Sequence, residues 1–434
     1  MDVKVLIAVL LTFALLIAFP LRLAPPKGSS PEEVRRYFSE EEILKGKAYM
    51  RGRYLLFFFG LFLKAIFLIL LLTPASKPLE ATIRGLFPGR PVLTFLFYAL
   101  VLFILYQLLM LPLGLYRDFL REKAFGLSTQ TLQGWLWDQL KGMALGFVLF
   151  LPLVSLLYAF IHRFPETWYL LAGLLASFVI VFLTVLSPVI VDPLFHRFKP
   201  VEGSLRARAL ALAEKAGVRT DRIFEMDASR RTMKKNAYVS GLFQTKRIVL
   251  YDTLIKGSTP EEVELVLAHE LSHWKLKHLW KGVGVAILFA FLGLFLASRA
   301  LRGGVGAGLL AHPAEPKGLV VIALALFLFA LATLPLQNAI SRSFEREADL
   351  ESLHLTQNPE AFIQAEVKLA KGNLADLDPH PAFVLLLYTH PPVLERIQLA
   401  ESYRPSPSPS PQRGEGRGEG APQEGEGVSR RNPI

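Results

Sequence analysis

Val266-Leu-Ala-His269-Glu270-Leu-Ser-His273-Trp-Lys-Leu-Lys-His278 is the stretch on which the reading of this chain turns. Read as a helix, it projects His269 and His273, four residues apart, from one face, where two imidazoles can hold one zinc ion. Glu270 stands beside that face, placed to take a proton from a water that the metal has made acidic, so that hydroxide can attack a peptide carbonyl. The residues upstream give such a helix a start. Thr259-Pro260-Glu261-Glu262 supplies a hydroxyl cap, a proline in the first turn and acids at the positive end of the helix dipole.

Outward from this stretch the chain is apolar. Across 434 residues the hydrophobic share is 52% and the mean hydropathy +0.38, too high for an ordinary soluble protein of this size. Seven segments are long enough to cross a bilayer, near 3–23, 54–74, 92–115, 142–161, 167–191, 282–301 and 318–339. The first has Lys4 ahead of it, as a signal peptide would, but its apolar run is too long for one and no cleavage pattern follows Pro20-Leu-Arg22. There is no cysteine, which excludes disulfides, thiolate metal sites and a cysteine nucleophile. The net charge of +11 is spread among the spans without a nucleic-acid motif, so it is read as topology and no nucleic-acid partner is expected.

With seven spans the loops sort into two sets. Lys27, Arg35, Arg36, Lys45, Lys47, Arg51, Arg53, Arg117, Arg121 and Lys123 fall on one side with the long loop and the tail. Lys77, Arg84, Arg90, Arg163, Arg302 and Lys317 fall on the other. The richer side is expected to be cytoplasmic, which puts the metal helix and the C-terminus there. The expected organisation is spans one to five over 1–191, a metalloprotease segment over 192–281, spans six and seven over 282–339, the rest of the protease domain over 340–403, and a disordered Ser-Pro and Gly-Glu tail over 404–434. The polar insertion contains a helix over 203–216 with Leu205, Ala209, Leu212 and Ala213 on one face, and two strand-like runs, 237–240 and 247–251, forming a small hairpin or sheet.

A hydrolytic zinc site needs a third protein ligand and an open position. After span seven comes Ser341-Arg-Ser-Phe-Glu345-Arg-Glu347-Ala-Asp349, where Glu345 and Asp349 share a helical face. That spacing suits Glu345 as ligand and Asp349 behind it, bonding a ligand histidine, with Glu347 directed elsewhere. His278 falls off the ligand face by phase and reads as a residue behind or beside the site. His390, within Tyr388-Thr-His390-Pro-Pro392, is the candidate donor to an oxyanion.

These segments together resemble the type 1 CAAX prenyl protease family of integral-membrane zinc metalloproteases, the a-factor-converting type. The resemblance rests on His269 to His278, Asn236-Ala-Tyr238 with the run from Lys246 to Leu254, Phe344 to Asp349, Tyr388 to Arg396 and Asp192-Pro-Leu-Phe195. Ser272 departs from the glycine common in that family, a small-for-small change. The resemblance implies a gluzincin-like domain on an α-helical polytopic membrane protein whose seven transmembrane helices enclose a water-filled chamber. It implies Glu345 as third ligand of a single zinc per chain, Asn236, Ala237 and Tyr238 along the peptide, and His390 and Arg396 near the substrate.

The function expected from these readings is a bilayer-embedded, monomeric zinc endopeptidase. It would cut peptides or proteins near their C-terminus, with CAAX-type prenylated chains as candidate substrates. Its membrane would be the plasma membrane in a bacterium or the endoplasmic reticulum in a eukaryote. Two rivals carry other expectations: a stress-type quality-control zinc protease with fewer spans, and a seven-span transporter or receptor. Against the latter, the spans carry almost no charge apart from Lys64 in span two.

Overall fold

The computed structural model describes residues 31–404. The expected first span and the expected disordered tail beyond Arg404 lie outside the described residues. In chain order the N-terminal half comprises α1 (Pro31–Arg35), α2 (Glu40–Leu72), α3 (Lys77–Leu86), α4 (Pro91–Ala124), α5 (Leu132–Arg163) and α6 (Trp168–Phe195). Then follow β1 (Phe198–Pro200), α7 (Gly203–Lys215), β2 (Ile223–Met226), β3 (Ala237–Ser240), β4 (Arg247–Tyr251) and α8 (Asp252–Lys256). The chain continues through α9 (Pro260–Lys275), α10 (His278–Gly306), α11 (Pro316–Thr356), α12 (Pro359–Asn373), α13 (Pro381–Leu387) and α14 (Val393–Ser402).

Six of these helices, α2, α4, α5, α6, α10 and α11, are long and apolar enough to cross a membrane, and they coincide with expected spans two to seven. Several run well past the apolar stretch. The polar first third of α2 and the last third of α11 leave the bundle on the side that carries the protease elements. The division drawn at 339/340 therefore falls inside one continuous helix, and the span beginning near 282 starts at His278.

Alternation of the six helices defines two faces. On the far face the loops are tied by Lys317 to Glu80 at 3.2 Å, Arg84 to Glu315 at 3.1 Å and Arg302 to Glu166 at 2.9 Å. Beneath them the bundle closes on a core that includes Phe95, Tyr98, Ile161, Trp168 and Leu301, each 2% exposed or less. Two cavities lie between the spans. One, of about 940 Å³, is bounded by α10, α11 and the far end of α2; the other, of about 320 Å³, is lined by Lys64 with apolar residues of α2, α4, α5 and α11.

On the near face, α9 starts as its sequence dictates. Thr259 Oγ1 accepts from the Glu262 amide, the Glu262 carboxylate accepts from the Thr259 amide at 2.8 Å, and Pro260 fills the first turn. The buried face of α9 (Val263, Leu267, Ala268, Leu271) packs against Ala209, Leu212 and Ala213 of α7 and Ile248 and Leu250 of β4. It stops because Lys277 takes a left-handed conformation, φ +58°, which no helix continues; this turns the chain into α10.

The sheet has four strands in the order β1-β2-β4-β3. The two runs read from sequence are β3 and β4, which pair antiparallel; β1 and β2, which sequence reading passed over, extend the sheet on the other side, with β2 parallel to β4. Asp192, in the segment singled out from sequence at the end of α6, accepts from Arg247 of β4 at 2.8 Å. The Arg247 guanidinium also stacks on Phe198 of β1 at 4.1 Å. A short, half-buried ion pair therefore fixes the sheet to the end of a span.

Candidate metal centre and cleft

α9 and α11 cross so that His269, His273 and Glu345 meet, with ligand-type atoms all within 4.8 Å of one another. His269 Nε2 lies 3.0 Å from His273 Nε2 and 3.2 Å from Glu345 Oε2, and His273 Nε2 lies 3.5 Å from Glu345 Oε1. Glu345 Oε2 is buried and has no hydrogen-bond donor, although two imidazole nitrogens stand close to it. Lone pairs converging in this way repel unless a cation sits among them. Two nitrogens and a carboxylate are the donor set zinc accepts, so the residues fit that ion.

Both histidines are held from behind. His269 Nδ1 lies 2.9 Å from Asp349 Oδ1, one turn along α11 from Glu345. Burial disfavours charge on His269, but the carboxylates of Asp349 and Glu345 outweigh it and raise the group to about 10, a measure of how strongly the pocket favours positive charge. Asp349 is fully buried and held by Arg396, whose Nε and Nη2 reach its two oxygens at 2.8 and 2.5 Å. Arg396 Nη1 reaches Glu366 of α12 at 2.7 Å. His273 Nδ1 lies 3.0 Å from His278 Nδ1, and His278 Nε2 lies 3.1 Å from Glu347 Oε2, with the His278 ring stacked on Phe344. Glu347, turned away from Glu345 and Asp349 as helical phase requires, thus reaches the centre through His278.

Glu270 is buried beside this cluster. Burial pushes its carboxyl above the usual carboxylate range, while nearby His269 and His273 and a hydrogen bond from the Val239 amide pull the other way. That amide belongs to β3, the edge strand of the sheet. Tyr251 N–H donates to Asn236 C=O at 3.0 Å and Ile248 N–H to Arg222 C=O at 3.0 Å. The alternation in an antiparallel pair then turns the main-chain groups of Asn236, Tyr238 and Ser240 towards β4 and those of Ala237 and Val239 away from it.

These groups line one cleft of about 430 Å³, bordered by Asn236, Ala237, Tyr238, Glu270, His390 and Arg396. His390 stands at its mouth with Nε2 3.3 Å from Glu345 Oε2 and Nδ1 3.0 Å from Thr389 Oγ1. Burial lowers its pKa, against the pull of Glu345. If the Thr389 hydroxyl donates to Nδ1, the remaining proton is on Nε2, facing the cluster. Two residues sit differently from the sequence expectation. Arg396 borders the cleft, but its guanidinium is spent on Asp349 and Glu366, behind the metal face. Tyr238 borders it too, yet its main chain faces β4 and its hydroxyl lies 3.8 Å from Met226 Sδ. Val239 and Glu366 were not singled out from sequence. Strand phase relative to Ala237 could have found the first; nothing local marks the second.

Comparison with known proteins agrees with this architecture. A family model described as Peptidase family M48 matches residues 200–404, and one described as CAAX prenyl protease N-terminal, five membrane helices, matches 21–197. Among similar curated proteins is an uncharacterized metalloprotease, YhfN, of Bacillus subtilis, 31% identical over 371 residues, covering 84% of this chain and 87% of that one. CAAX prenyl protease 1 of Saccharomyces cerevisiae is 32% identical over 312 residues, covering 66% and 67%. The rice CAAX prenyl protease 1 homolog is 32% identical over 336 residues, covering 74% and 76%. The crystal structure of S. mikatae Ste24p superposes with a TM-score of 0.75 at 24% identity, covering 92% of this chain and 98% of that one, which shows a shared fold. With two half-buried histidines and a buried carboxylate gathered beside an apolar bundle and both halves matched, this chain is an integral-membrane metalloprotease that belongs to peptidase family M48, in its type 1 CAAX prenyl protease group.

Proposed function

We propose that the protein is a zinc endopeptidase that cuts near the C-terminus of extended peptides, prenylated CAAX-type chains among them, at the cytoplasmic face of its membrane. The observation that carries this reading is the meeting of His269, His273 and Glu345 beside Glu270 and a free strand edge. One zinc ion held by those three side chains would polarise the scissile carbonyl and acidify water. Glu270, buried beside those three side chains, takes the proton of the attacking water and passes it to the departing amine. Ala237 offers its outward main-chain groups to an extended substrate, which adds to the sheet as a further strand, while the exposed Asn236 stands at the start of that edge. His390, at the mouth of the cleft with Nε2 facing the cluster, is placed to donate to the oxyanion as the carbonyl carbon becomes tetrahedral. Arg396 acts from behind, holding Asp349 and through it the ring of His269. The cytoplasmic assignment rests on the excess of Lys and Arg in the short near-face loops.

Glu270→Gln keeps the shape and the three ligand-type residues while removing the proton acceptor. The purified variant is expected to retain zinc at the wild-type ratio and to lose cleavage of a CAAX peptide by about 10²-fold to 10⁴-fold. Undiminished proteolysis would reject the assignment. Prenylated and unprenylated versions of the same peptide, run side by side, report whether the lipid contributes to selection.

A further inference from the structure

We infer that Tyr54, on a membrane-crossing helix and outside the cleft, is a positioning residue for His390. This rests on the role proposed above for that histidine. The His390 side chain has two polar neighbours among the described residues, Thr389 beside it and Glu345 across the cleft. Its place is therefore set by its own main chain, and the fastening of that chain occurs two residues earlier, at Tyr388.

Tyr388 is gripped at both ends. Its carbonyl accepts from Arg342 Nη1 at 2.6 Å, and the same nitrogen donates to Val384 C=O at 2.8 Å. Arg342 is 7% exposed and stands three residues before Glu345 on α11, so one end of the fastening shares a helix with the metal centre. The other end is the Tyr388 hydroxyl, 2.6 Å from Tyr54 Oη, which in turn lies 3.1 Å from Asp376 Oδ2. Because Tyr54 has one proton and Asp376 accepts it, Tyr388 must donate to Tyr54, and the relay runs from Tyr388 through Tyr54 to Asp376. Tyr54 and Asp376 are buried, and Tyr388 is half-buried. The Tyr54 ring also stacks on Phe383 of α13 at 4.2 Å. Eight residues earlier on α2, Gly46 lies so close to the loop after α12 that a β-carbon there would run into the carbonyl oxygen of Ala375, the neighbour of Asp376. The polar end of a span thereby becomes a fixed post for the segment that carries the oxyanion donor.

Tyr54→Phe removes the relay and keeps the stacked ring. In full-length protein assayed on a CAAX peptide, it is expected to leave zinc content and KM within about twofold of wild type and to lower kcat about tenfold, since a displacement of the donor by a fraction of an ångström weakens its bond only when charge develops. The decisive measurement is a cycle with His390→Ala. If Tyr54 acts through His390, the double variant is no slower than His390→Ala alone, within about twofold. An unchanged kcat in Tyr54→Phe, losses that multiply in the double variant, or a parallel fall in zinc would overturn the inference. Asp376→Asn, which keeps the shape and weakens the acceptor, gives the same reading should Tyr54→Phe fail to fold. A slow His390→Ala beside a normal Tyr54→Phe rejects the positioning role alone; a normal His390→Ala rejects the role of His390 and this inference with it.

Discussion

The near-face cleft and the cavities between the spans make an instructive pair. The cleft, of about 430 Å³, is walled by four histidines, three carboxylates and an arginine, many of them buried or half-buried. The larger cavity, of about 940 Å³, is bordered by leucine, alanine, glycine and phenylalanine, with Lys77 and Lys317 as its charged residues, and Lys317 is occupied by Glu80. Volume therefore says little about where chemistry resides. An ion taken out of water costs several kcal/mol unless its partners are fixed, so a dense buried network persists only where the chain holds every member in place. In the cleft that holding is visible at each step, from Glu366 through Arg396 and Asp349 to His269. The cavities have nothing comparable and can accept apolar groups.

Three substitutions test this contrast. The largest effect is expected from Glu345→Ala, which removes one of three donors and leaves two imidazoles facing each other. Zinc measured on the purified protein should fall to a small fraction of one per chain and peptidase activity to background; a variant that keeps both would show that the carboxylate is not a ligand. Next comes Asp349→Asn, which leaves the ligand set intact but releases His269 and Arg396 from their shared anion. Zinc affinity, followed by chelator competition, should weaken by about 10-fold to 100-fold, with activity recovered at high zinc. Unchanged affinity would mean that Asp349 serves packing alone. The smallest effect is expected from Lys64→Met in the smaller cavity. Zinc content and kcat should stay within about twofold of wild type, with thermal stability unchanged or raised, because an ammonium among apolar side chains is costly and takes no part in the reaction. Loss of activity there would dissolve the distinction between the two regions.

Legibility from sequence follows the same division. His269, Glu270 and His273 were readable because helical spacing alone puts them together, and Glu345 with Asp349 because they repeat that spacing on another helix. The apolar spans were readable by length. The last third of α11 was assigned to a separate segment because polarity changes near 340, although the backbone continues without a break. β1 and β2 escaped notice because three- and four-residue strands leave no periodic signal, and they exist because α7 and β4 give them something to cover. Glu366, Arg342 and Tyr54 escaped for a different reason. Each is unremarkable among its neighbours and gains its part through a contact between segments distant in the chain, which no local pattern encodes.

α11 is a single helix of 41 residues, about 60 Å long, whose apolar part lies in lipid and whose far end presents Glu345 to the two imidazoles. A helix of that kind tilts to match the thickness of the film it crosses, and Pro335, between its lipid-facing and ligand-bearing parts, is where it can bend. Reconstitution into bilayers of short-chain or long-chain lipid thus becomes a dial on the reach of a carboxylate several turns away, and the composition of the host membrane an ingredient of the enzyme's own tuning.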